Sequence, residues 1–86
     1  MDLNLVKKYK KVIHTFKVGD VEDPNMMAQY VVDEWLSTTT RGKFVNRLDL
    51  PLTISWHFDE TGMSYDYKLV AYIAERDYTL LSLIGE

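Results

Sequence analysis

Residues 12–18 alternate in character. Val12, His14, Phe16 and Val18 fall on one side, and Ile13, Thr15 and Lys17 on the other, which is the period of a β-strand. Upstream, residues 3–10 fit either an extension of that strand or a short turn of helix. Asp23 is a good N-cap and Pro24 a good first helical residue. From there Met27, Ala28, Val31, Val32 and Trp35 recur every three to four positions, predicting a helix over 24–37 with Gln29 and Asp33 opposite. Met26, Tyr30 and Leu36 flank the polar side, more apolar surface than one core requires. The threonines at 38–40 and Gly42 are expected to end the helix, and residues 43–48 to form a short strand. Leu52, Ile54, Trp56 and Phe58 then alternate with Thr53, Ser55, His57 and Asp59, the clearest half-buried strand in the chain. Asp59-Glu60-Thr61-Gly62 reads as a hairpin loop with Gly62 in the left-handed position. A long strand over 65–75, a tight turn at Arg76-Asp77 and a last strand over 78–84 complete the pattern. The predicted fold is α+β: one domain, 1–86, with a single helix packed on one face of a mainly antiparallel five-stranded sheet (β-α-β-β-β-β).

The expected C-terminal hairpin has a consequence. With Arg76-Asp77 as its turn, one face holds Tyr65, Tyr67, Leu69, Ala71, Ile73, Leu80 and Ile84. The other holds Val70, Tyr72, Ala74, Leu81 and Leu83. A single helix covers one face, and a solvated antiparallel face should carry polar residues. The second face is therefore expected to be covered by the N-terminal residues Leu3, Leu5, Val6 and Tyr9 or by another chain. A second copy is the favoured cover, because two-fold dimers are the commonest soluble assembly.

Composition bounds the rest. The 86 residues are 47% hydrophobic and 27% charged, with no cysteine. That excludes a disordered chain, a disulfide framework and a cysteine-ligated zinc site. No apolar run approaches the about 20 residues of a membrane span, and the lysines near the N-terminus are not followed by the apolar block of a signal peptide. A soluble, cytoplasmic protein is expected. The net charge of −3 is uneven: residues 1–18 hold five lysines against Asp2 alone, and the remainder holds five basic residues against twelve acids. The cluster Lys7, Lys8, Lys10 and Lys11 is a candidate nucleic-acid contact, although the acidic remainder repels phosphate. The alternative is that these lysines blunt an exposed sheet edge.

Motifs for chemistry are sparse. Ser55, His57 and Asp59 have the residue types of a catalytic triad, but alternate residues of one strand lie about 6.6–7 Å apart, too far for the contacts a triad needs. His14 and His57 lack the clustered spacing of a metal site. Asp20, Glu22 and Asp23 lack the glycine-centred pattern of a calcium loop and read as helix capping. The four glycines are scattered and cradle no phosphate. No cofactor, no metal and no enzymatic activity are expected. The six tyrosines, with Trp and Met, point instead to protein contact.

The run from His14 to Pro24 (His-Thr-Phe-Lys-Val-Gly-Asp-Val-Glu-Asp-Pro), then Trp35, then Gly42-Lys43-Phe44-Val45, and the run from Tyr65 to Glu75 resemble a family. They are similar to small uncharacterised proteins of large tailed bacteriophages, especially marine T4-like ones. The stretch from Ser37 to Arg41 departs from that pattern in length, which leaves the register of the following segment open. The resemblance implies a phage origin and expression in the cytoplasm of an infected cell, and brings no activity with it. Together these readings lead to a small protein that self-associates, as a homodimer, and binds a host or phage protein. The expected contact residues are Met26, Tyr30 and Leu36 on the helix and Val70, Tyr72, Leu81 and Leu83 on the sheet.

Overall fold

A computed structural model describes residues 7–85. Leu3, Leu5 and Val6, weighed above as a cover for the sheet, lie outside the described residues. The chain runs β1 (Lys8–Gly19), α1 (Pro24–Thr38), α2 (Thr40–Leu48), β2 (Leu52–Asp59), β3 (Ser64–Ala74) and α3 (Glu75–Leu83). The three strands form one antiparallel sheet in the order β1-β3-β2. The class is α+β, but the expected five strands and single helix are corrected to three strands and three helices.

Asp23 opens α1 as the sequence suggested: its side chain accepts a hydrogen bond from the Met26 N–H at 3.1 Å, and Pro24 follows. Ala28, Val32 and Trp35 are buried on one face of α1, while Met27, expected beside them, is exposed. They meet the helix-facing side chains of the sheet, Ile13, Val18, Tyr67, Leu69, Ala71 and Ile73. A bulge interrupts β1. Val12 pairs with Val70 and His14 with Leu69, leaving Ile13 as an extra residue whose side chain is buried in the core. Lys8, Lys10 and Val12 before the bulge therefore share the open face with Thr15 and Lys17 after it.

Residues 43–48, expected as a strand, belong to α2. The threonines that end α1 also start the next helix. The Thr39 hydroxyl donates to the Trp35 carbonyl at 2.8 Å and accepts from the Gly42 N–H at 2.9 Å, acting as the N-cap of α2. Phe44, Val45 and Leu48 then fall at helical spacing against the core. Gly42 is buried where the two helices cross, and its hydrogen faces the Trp35 carbonyl.

The last predicted strand is α3, and the turn expected at Arg76-Asp77 is its first turn. Glu75 and Asp77 lie there, where negative charge complements the helix dipole. Tyr78, Leu81 and Ile84 recur every three residues, so they share one side of a helix as readily as alternate positions suggest a strand. Leu81 is fully buried in the core, with Tyr78 packed beside it. The doubly apolar C-terminal hairpin does not exist. Its one real strand, β3, has an inner face of Tyr65, Tyr67, Leu69, Ala71 and Ile73, and its outer face carries Val70, Tyr72 and a buried Ala74. The β2–β3 loop covers residues 60–63. Thr61 N–H is held by the Asp59 carboxylate at 3.1 Å, and the left-handed position falls at Met63 (φ 52°) rather than at Gly62.

Candidate protein interface

The sheet outruns its helical cover. α1 approaches β1 and β3 and buries Val18 and Tyr67, on the same rungs where Phe58 and Trp56 stay exposed, so the β2 side of the helix-facing layer is open. Trp56 and Phe58 occupy that side, with Tyr65 beside them. Register pairs Phe58 with Tyr65 and Trp56 with Tyr67, all on the inner face. Trp56 and Tyr65 meet edge to face at 5.5 Å, and Phe58 and Tyr65 at 4.9 Å, the geometry aromatic quadrupoles prefer. Trp56 nevertheless remains 52% exposed and Phe58 is exposed beside it. Tyr67, one step inward, is buried and donates its hydroxyl to Asn25 Oδ1 at 3.0 Å, and burial raises its pKa. The aromatic row thus runs from the core to the surface without a polar boundary.

The same strand forms an edge of the sheet. Among the described residues, β2 pairs only with β3, and its outer backbone groups have no strand beside them. The opposite edge, β1, carries Lys8, Lys10, Lys11 and Lys17 and the bulge, devices that discourage strand pairing. Between Leu52 and Asp59 there is no lysine, arginine or proline.

The open face of the sheet is mainly polar, with Val12, Val70 and Tyr72 as its apolar part. Lys10, Thr15, Lys17, Lys68 and His57 surround two shallow depressions of about 430 and 350 Å³, the second lined also by Val70 and Tyr72. Lys17 donates to Asp66 at 2.8 Å, which holds the Asp66 carboxyl below its ordinary range and raises the Lys17 ammonium. On the far side of α1, Val21, Met26, Met27 and Tyr30 line an apolar hollow of about 440 Å³.

The residues predicted from sequence divide accordingly. Met26 and Tyr30 are exposed together on α1, whereas Leu36 is half-buried against the core. Val70 and Tyr72 lie on the open face, paired with Val12 and Lys10. Leu83 is 78% exposed, but Leu81 is corrected to a core position, because a helix sends residues two apart to different sides. Of the lysine cluster, Lys8 and Lys10 share the open face and Lys7 is exposed ahead of it. Lys11 turns the other way, 3.6 Å from Glu75 and over the Tyr78 ring at 5.1 Å. Trp56 and Phe58 were not singled out. Their alternation resembles that of a fully covered strand, and only the reach of the helices distinguishes the two cases.

The candidate chemistry disperses. Ser55, His57 and Asp59 stand in a row on the open face, and the nearest carboxylate to His57 Nε2 is Asp66 at 3.7 Å. His14 lies on the opposite side of the sheet, stacked on Trp35 at 4.6 Å, so the two histidines cannot share a metal. Among the described residues, no three His, Cys, Asp or Glu side chains gather as a metal site, and no helix is long and apolar enough to cross a membrane. Comparison of the chain with protein-family models, curated proteins and solved structures found no match.

Proposed function

We propose that this chain is a small non-enzymatic protein-interaction module that self-associates. The observation that carries this reading is the aromatic end of the sheet, where Trp56 and Phe58 continue the core outward into solvent. In a domain of this size, which buries only about 60% of its unfolded surface, such side chains stabilise more when a partner covers them. Met26 and Tyr30 on α1 offer a second, separate apolar surface for a host or phage protein. A phage origin and a cytoplasmic setting belong to the same proposal and rest on the resemblance described above. Sedimentation equilibrium at micromolar concentration is expected to return twice the mass of one chain. A mass of one chain across that range would overturn self-association.

One observation favours a second reading, a contact with single-stranded nucleic acid. Lys10 faces Tyr72 across the ladder, and Lys8, Lys17 and Lys68 share that open face, which combines a stacking ring with positive charge. Under this reading a labelled oligonucleotide binds at low salt and is released steeply as salt rises. No change in anisotropy at low salt would remove it.

A further inference from the structure

We propose that two copies of the chain pair through the free edges of their β2 strands, antiparallel about a two-fold axis at Ser55, making one six-stranded sheet. This rests on the self-association reading and specifies its surface.

The argument begins with the edge. An exposed strand offers a row of N–H and C=O groups that another strand satisfies. A two-fold axis perpendicular to the sheet keeps both helical layers on one side, so facing residues must belong to the same face of β2. An axis at Ser55 meets that condition. It sets Leu52 opposite Phe58 of the second copy and Ile54 opposite its Trp56, and then repeats both contacts in reverse. All four inward-facing apolar residues of β2 gain an apolar partner. An axis at Trp56 leaves Leu52 facing Glu60 in the loop and is poorer by that pair. On the open face, Thr53 meets His57 and Ser55 meets Ser55.

Charge allows the approach. Asp59 is the only acid in β2 and would lie opposite Pro51, beyond the paired segment, while β2 has no lysine or arginine. Two β1 edges would instead oppose their lysines. The helices also leave room, since α1 and α3 approach β1 and β3 and none of the three approaches β2 as closely.

The absence of cysteine supplies the test. Directly opposed residues of an antiparallel pair have Cα atoms about 4.5–5.5 Å apart, within the about 4.4–6.8 Å that a disulfide spans. Ser55→Cys, at an exposed polar position, is therefore expected to become a covalent dimer under mild oxidation. Thr53→Cys alone is expected to stay uncrosslinked, because its own copy would lie four residues along the ladder. An equal mixture of Thr53→Cys and His57→Cys chains should crosslink. Circular dichroism of the reduced variants should match that of the wild type. If wild type has the mass of two chains and Ser55→Cys does not crosslink, or Thr53→Cys crosslinks as fast, pairing at this edge is overturned while self-association stands. If wild type has the mass of one chain, both fall.

Discussion

Leu81→Asp unfolds the domain, whereas Leu83→Asp, two residues on, leaves its thermal midpoint nearly unchanged. Leu81 is fully buried among the core residues of the sheet and of α1 and α2, and Leu83 is mostly in solvent. Truncating a buried leucine to alanine costs about 2–5 kcal/mol through lost transfer energy and the cavity left behind. Placing an unpaired carboxylate there adds a desolvation penalty, and together these meet or exceed the few kcal/mol a core this small supplies. Even Leu81→Ala should lower the midpoint by about 8–40 °C, given about 4–8 °C per kcal/mol for a domain of this length. Scanning calorimetry of the three variants checks the pattern. If residues 75–83 formed a strand, Leu81 and Leu83 would share a face, so equal effects at the two positions would refute α3.

Gly42→Ala is expected to destabilise the protein by about 2–3 kcal/mol, against the usual preference of helices for alanine. Gly42 is in α2, and in a free helix the added methyl would stabilise by about 1 kcal/mol. Here the Cβ would fall 2.6 Å from the Trp35 carbonyl carbon and 2.7 Å from Thr39 Oγ1, and closer still to the Trp35 carbonyl oxygen. The carbonyl belongs to the helix backbone and cannot rotate aside, so α1 and α2 must separate. That separation also strains the Thr39 hydroxyl, which bonds to both helices. Urea denaturation of Gly42→Ala beside wild type measures the effect, and an unchanged midpoint would mean that the two helices do not cross here.

Both of these sites mark where the sequence misleads. β1, α1, β2 and β3 were legible because each combines a long run of one period with a clear stop, such as Asp23-Pro24 before α1. The two short helices were not. Nine residues hold too few repeats to separate a period of two from one of 3.6, and Tyr78, Leu80, Leu81 and Ile84 suit either. What decides is non-local: a leucine at 81 fits the core only if the chain turns helical at Glu75. The threonines at 38–40 were ambiguous for a different reason. A threonine that stops one helix can cap the next, and the same hydroxyl does both at Thr39. Of the exposed apolar residues, Met26, Tyr30, Tyr72 and Leu83 could be read from their excess over what one core needs. Trp56 and Phe58 could not, since their exposure depends on which strands α1 and α3 approach, a relation between elements distant in the chain.

The unequal edges of the sheet also bear on polymerisation. A sheet with two plain edges can add copies at both sides and grow into a fibre. Here the buried extra residue at Ile13 bends β1, and lysines line the rest of that strand. Under the proposed pairing, growth that begins at β2 would meet a β1 at each outer margin and stop at two copies. In that arrangement the bulge and the lysines of β1 would act as chain terminators, so a plain β2 edge would not lead to a fibre.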